Sequence, residues 1–187
     1  MRIVGGSLRG RALAGPAKGD MSIRPTSDRA RESLFNIIQA RWPQKLDNTR
    51  VADLFAGTGA LGFEAISRGA RYALFVEIAA QSRALLRTNI ETFGLQGNTR
   101  IFRRDAATLG PAGAVAPFDL VFLDPPYGKR LGEKALTELC TGKWLNEEAL
   151  LVLEEAANAE FVLPDTYMIE DERKTGQTVL RFLRLKG

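Results

Sequence analysis

Asp124-Pro125-Pro126-Tyr127 is the stretch of this 187-residue chain whose residue types say most about chemistry. The two prolines fix φ and offer carbonyls without an N–H, so the segment is stiff and does not consume its own acceptors. A carboxylate and a carbonyl beside an aromatic ring suit an exocyclic amine on a nucleobase. The lone pair of such an amine is delocalised into the ring. Acceptors aimed at its two N–H bonds, the Asp124 carboxylate and the Pro125 carbonyl, favour a pyramidal nitrogen whose lone pair meets an electrophile. Tyr127 can stack on a base that has left its helix or loop. Asp124 or water can take the proton released. The plainer reading of Pro-Pro is a rigid strand exit.

A second constellation lies upstream. Gly57-Thr58-Gly59-Ala60-Leu61-Gly62 satisfies G-x-G-x-x-G, and Glu77 follows Gly57 by twenty residues. Taken literally, this is a dinucleotide fingerprint with the acid on the ribose hydroxyls. Asp53, four residues before Gly57, argues for a different ligand. A carboxylate facing a pyrophosphate would be repelled, whereas S-adenosylmethionine has no phosphate and carries an ammonium and a sulfonium. Glu77 serves the ribose diol of either ligand, and Asp105 is placed to reach an adenine amino group. Phe55 and Ala56 adjoin the loop and Ala106 follows Asp105, so they count among the cofactor contacts.

These residues need elements to position them. The pattern predicts a helix entered at Thr26 or Ser27, with Ala30, Leu34, Ile37 and Ile38 on one face and Trp42-Pro43 at its end. Strands follow at Val51–Phe55, Tyr72–Val76, Arg100–Arg103, Phe118–Leu123 and Ala149–Leu153. Helices at Ala60–Ser67, Ala79–Phe93 and Leu131–Thr141 separate them, and Tyr167–Glu170 with Thr178–Leu183 form a closing antiparallel pair. Apolar strands alternating with helices imply an α/β fold, a doubly wound, Rossmann-like and mostly parallel sheet. Asp53, Glu77, Asp105 and Asp124 then all stand at strand ends on the ligand-binding edge.

Composition removes several mechanisms. With no histidine, Ser-His-Asp and Cys-His triads and HExxH zinc sites are excluded. One cysteine, Cys140, excludes internal disulfides and multi-cysteine zinc sites, and it reads as a packing residue, as do Trp42 and Trp144. No apolar run is long enough for a signal sequence or a membrane span, so the expectation is a cytoplasmic protein with no membrane and no metal. Residues 1–50 hold ten Lys/Arg against four Asp/Glu, and the remainder sixteen against eighteen. A basic arm on a slightly acidic body suggests a polyanionic partner, with Arg2, Arg9, Arg11, Arg24 and Arg29 as its contacts. Two domains are expected: a basic hairpin extension over 1–26 that contacts RNA, and a catalytic domain over 27–187.

Asp124-Pro125-Pro126-Tyr127 after Asp53-Leu54-Phe55-Ala56-Gly57-Thr58-Gly59 resembles the class I, amino-directed adenosylmethionine methyltransferases. The blocks Arg2-Ile3-Val4-Gly5-Gly6, Arg9-Gly10-Arg11 and Arg24 to Asn36 narrow this, being similar to the bacterial RsmD family of 16S ribosomal RNA guanine-N2 methyltransferases. The resemblance extends to Lys174-Thr175-Gly176-Gln177-Thr178. It implies a seven-stranded sheet with a small N-terminal hairpin, S-adenosylmethionine as cofactor, and 16S RNA within a 30S subunit or assembly intermediate as partner of a monomeric enzyme. Asp53, Gly57, Gly59, Glu77 and Asp105 match its cofactor motifs, and Asp124 to Tyr127 its catalytic one. Competing readings are an adenine-N6 methyltransferase, a nicotinamide-dependent oxidoreductase and a non-catalytic RNA-binding module.

Overall fold

The computed structural model describes residues 1–16, 27–43 and 46–187. Arg24 and Thr26 lie outside the described residues. Helix α1 spans Asp28–Arg41, and the Ser27 hydroxyl caps it by accepting from the Ala30 amide at 3.2 Å. Its buried stripe is Arg31, Leu34, Phe35 and Ile38, rotated from the expected face because Ala30 and Ile37 sit at its margin.

From there strands and helices alternate: β1 (Arg50–Leu54), α2 (Ala60–Ser67), β2 (Tyr72–Val76), α3 (Ala80–Phe93) and β3 (Thr99–Phe102). A 3₁₀ turn at Ala106–Thr108 precedes β4 (Phe118–Leu123), α4 (Leu131–Thr141), β5 (Leu145–Ala156), β6 (Tyr167–Thr175) and β7 (Thr178–Leu185). One seven-stranded sheet results, in the order β3-β2-β1-β4-β5-β7-β6. The first five strands are parallel neighbours, while β7 is antiparallel to both β5 and β6. Strand order reverses at β1–β4, where doubly wound sheets open a crevice for ligands.

Alternation along the strands splits the core in two. Val51, Phe75, Leu120, Phe122, Val152 and Phe182 face α1, α2, α3 and the N-terminal arm. Leu54, Val76, Val121, Leu123, Leu151 and Leu153 face α4 and the 3₁₀ turn. Strand β5 begins earlier than its apolar run suggests. Phe118 pairs with Leu145 and Leu120 with Leu150, so β5 carries three more residues than β4 across that step. The polar Asn146, Glu147 and Glu148 occupy the excursion, and Asn146 donates to Asp119. The closing pair is longer too, with Glu170, Asp171, Glu172, Arg173 and Lys174 along the outer strand of the sheet.

The N-terminal arm closes by one antiparallel bridge, Arg2 with Ala12, and by bonds such as Ile3 N to Arg11 O at 3.0 Å. Ile3 and Leu13 enter the same core as α1 and α2. Gly5-Gly6 also seats the arm: the Val4 and Gly5 amides donate to the buried Glu64 carboxylate at 2.9 and 2.8 Å. A Cβ on Gly6, whose φ is +75°, would lie 1.8 Å from the Ser67 carbonyl oxygen. No helix among the described residues is long and apolar enough to cross a membrane.

Candidate active site

Leu54 of β1 pairs with Leu123 of β4, so the glycine loop and the Asp124 segment leave adjacent strands at one level. The loop turns back on positive φ at Phe55 (61°), Gly57 (54°) and Gly59 (79°). At Gly59 a Cβ would meet Leu86 Cδ2 at 2.5 Å, and at Gly62 it would meet Phe75 Cε1 at 2.4 Å. The third glycine of the pattern therefore lets α2 lie close on the sheet, as its spacing predicts.

Three carboxylates define the edge. Asp53 is 2% exposed and accepts from the Gly62 amide at 2.9 Å. Burial pushes its carboxyl well above the ordinary carboxylate range; the Gly62 bond opposes that, and the charges of Asp124 and Glu77 reinforce it. Glu77 is buried, accepting from the Gly57 amide at 2.8 Å through one oxygen and from the Ala79 amide at 2.7 Å through the other. Each Glu77 oxygen keeps a second lone pair, enough for a diol. Asp105 is exposed and caps the 3₁₀ turn through the Ala107 amide at 2.9 Å, with Ala106 buried beneath it. Phe55 is half-buried and Ala56 buried, its amide bonded to the Val76 carbonyl at 3.2 Å.

On the other side of the crevice, Asp124 and Tyr127 are half-buried, Pro125 is buried and Pro126 is exposed. Two successive residues of β5 hold the far end of this segment. The Tyr127 hydroxyl donates to Glu154 Oε1 at 2.7 Å, and the Gly128 amide to the buried Glu155 at 3.2 Å. The Asp124–Gly128 segment is thus braced on both faces of its neighbouring strand.

Four residues here carry no motif in the sequence. Ile78 is 59% exposed immediately after Glu77, an apolar surface beside that carboxylate. The Arg83 guanidinium donates to the Ile78 carbonyl and fixes that corner. Asn89 bonds to the Thr58 carbonyl at 3.1 Å, and Glu154 anchors Tyr127. An isoleucine just past a strand end is a signal that could have been found; the other three lie on elements whose facing cannot be read from motifs.

The arginines expected to contact RNA separate. Arg9 is exposed in the arm's turn, and Arg29 is exposed on α1. Arg2 pairs with Asp28 at 3.4 Å. Arg11 donates to the Thr92 carbonyl at the end of α3 and lies 4.9 Å over the Phe93 ring, so it fastens the arm. The arm's turn docks at Ser67, the end of α2 away from the glycine loop and, at 1.5 Å per residue, about 12 Å from it. Among the described residues, no group of His, Cys, Asp and Glu side chains could hold a metal ion.

Comparison with known proteins fits this geometry. A family model described as Conserved hypothetical protein 95 matches residues 1–184. The Ribosomal RNA small subunit methyltransferase D of Escherichia coli K12 is 37% identical over 183 residues, covering 97% of this chain and 88% of that protein. Its Haemophilus influenzae counterpart is 33% identical, covering 94% and 89%. The solved structure of Escherichia coli YhhF has a TM-score of 0.83 at 31% identity and covers 100% of this chain and 98% of that one. With both core faces, the glycine loop and the Asp124 segment falling inside the matched span, the chain belongs to the Conserved hypothetical protein 95 family, that of the small-subunit ribosomal RNA methyltransferases D.

Proposed function

We propose that the chain methylates the exocyclic N2 amine of a guanine in 16S ribosomal RNA, using S-adenosylmethionine, on a 30S subunit or its assembly intermediate. One observation carries the reading: Asp124-Pro125-Pro126-Tyr127 stands across the β1–β4 crevice from a glycine loop backed by Asp53 and Glu77. The charges of Glu77 and Asp124 near Asp53 fit the cofactor, because neighbouring carboxylates attract a cation and repel a pyrophosphate. When bound, adenosylmethionine supplies a methyl group made electrophilic by its sulfonium. Glu77 would take the ribose diol, Asp105 and Ile78 the adenine, and Asp53 the cationic end. Asp124 and the Pro125 carbonyl accept from the amine's two N–H bonds and hold it pyramidal, while Tyr127 stacks on the base. Catalysis is positioning and electrostatics, with Asp124 or water receiving the proton. The names of the curated relatives support a small-subunit RNA substrate.

The test supplies labelled methyl groups to hypomethylated 30S subunits, free RNA and DNA, followed by nucleoside identification. N2-methylguanine on the 30S arm is expected; N6-methyladenine would overturn the choice of base. Asp124→Ala should abolish transfer, by about three orders of magnitude or more, while keeping adenosylmethionine binding.

A further inference from the structure

The carboxamide of Asn89, on α3 and 1% exposed, is bonded at once to the N-terminal arm and to the glycine loop. Its Oδ1 accepts from the Ala14 amide at 2.7 Å, and its Nδ2 donates to the Ala14 carbonyl at 3.2 Å and to the Thr58 carbonyl at 3.1 Å. Thr58 stands between Gly57 and Gly59, whose amides bond to Glu77 and to the Ala56 carbonyl at 2.8 and 2.7 Å. Ala14 is tied to the rest of the arm through Leu13, whose amide donates to the Met1 carbonyl at 3.1 Å, and through Arg11 on the end of α3. The arm therefore bears on α2 at Glu64 and Ser67, on α3 at Thr92, and on the glycine loop ahead of α2 through the Asn89 side chain.

From this arrangement we infer that Asn89 is a positioning residue that links the seating of the arm to the shape of the cofactor loop, so that the segment offered to RNA and the site for adenosylmethionine are energetically coupled. The inference rests on the functional reading above. Its physical basis is that a buried carboxamide satisfied by three partners cannot release one without leaving a polar group unpaired. A shift of Ala14 must be followed by Asn89, and a shift of Asn89 frees the Thr58 carbonyl. Linkage is reciprocal: whatever steadies the arm steadies the loop, and cofactor on the loop steadies the arm.

Calorimetry of adenosylmethionine binding to the full chain tests this with Asn89→Ala, Arg11→Ala and the double variant. Asn89→Ala should raise Kd about tenfold, and Arg11→Ala about threefold although its guanidinium is held at the far end of α3, by the Thr92 carbonyl and the Phe93 ring. In the Asn89→Ala background, Arg11→Ala should add less than about 1.5-fold, because the route is already cut. Multiplying effects, or unchanged affinity in Asn89→Ala, would overturn the inference. A wild-type chain that binds no adenosylmethionine overturns the functional reading and the inference together, which distinguishes the two failures. Hydrogen exchange on Arg11→Ala keeps the test open should Asn89→Ala not fold. Faster exchange at the Gly57 and Gly59 amides supports the link. Unchanged protection there, with loosened arm amides, refutes it.

Discussion

Replacing Asp53 with Asn keeps an oxygen for the Gly62 amide and removes a charge that burial, Asp124 and Glu77 all disfavour. Because the folded carboxyl titrates above its unfolded value of 3.8, its contribution to stability is present below that pH and is lost as pH rises through the raised value. Asp53→Asn should therefore melt a few degrees higher than wild type at about pH 8 without ligand, the two curves converging in acid. Its adenosylmethionine Kd should rise about tenfold if Asp53 takes the cationic end of the cofactor as proposed. Melting profiles across pH and calorimetry check both halves, and a lower melting point at alkaline pH would contradict the first. Tyr127 and Glu154 form a second residue-scale unit, joined at 2.7 Å. Tyr127→Phe and Glu154→Gln should each lower kcat several-fold, with adenosylmethionine affinity held, and the double variant should do little worse than either. Steady-state kinetics decides: effects that multiply would mean that Glu154 does not act through the Tyr127 ring.

At the scale of elements, the arm depends on a close approach at Gly6. Gly6→Ala places a methyl group against the Ser67 carbonyl and strains a positive φ, so a loss of more than about 2 kcal/mol in urea unfolding is expected. Gly176, also at positive φ but with open space around it, should tolerate Asn. The central strands and helices are legible in the sequence because their apolar runs are bounded by glycines and acids, and α2, β2, β4 and α4 fall where the pattern predicts. Strand β5 and the β6–β7 pair extend beyond the pattern: Asn146 to Glu148 fill a register excursion against β4 and Asp171 to Lys174 pair with β7, and no hydrophobic alternation announces either polar run. The site divides likewise. Asp53, Glu77 and the Asp124 segment are legible from motif spacing, whereas Asn89, Arg83 and Glu154 act through facings that only the packed helices and strands define.

Over the whole molecule, the basic arm and the slightly acidic body meet at the α2–α3 face, with the arm's exposed Arg9 about a helix length from the edge that carries the glycine loop. An RNA reaching both would need to span that face. Arg9→Ala should weaken 30S binding and reduce the slope of log affinity against log salt by about 0.7, the share of a single phosphate. A filter-binding series across salt measures it, and an unchanged slope would remove Arg9 from the interface. The opposite side of the fold meets a different demand. Its last strand, β6, leaves one row of backbone donors and acceptors without a neighbouring strand among the described residues, an invitation to any extended chain nearby. The run from Glu170 to Lys174 fills that border with acids followed by bases, and Arg41 and Trp42 reach across to two of the acids. A nascent polypeptide or a second sheet laid there would bury those charges, so the border resists stacking in a crowded solution.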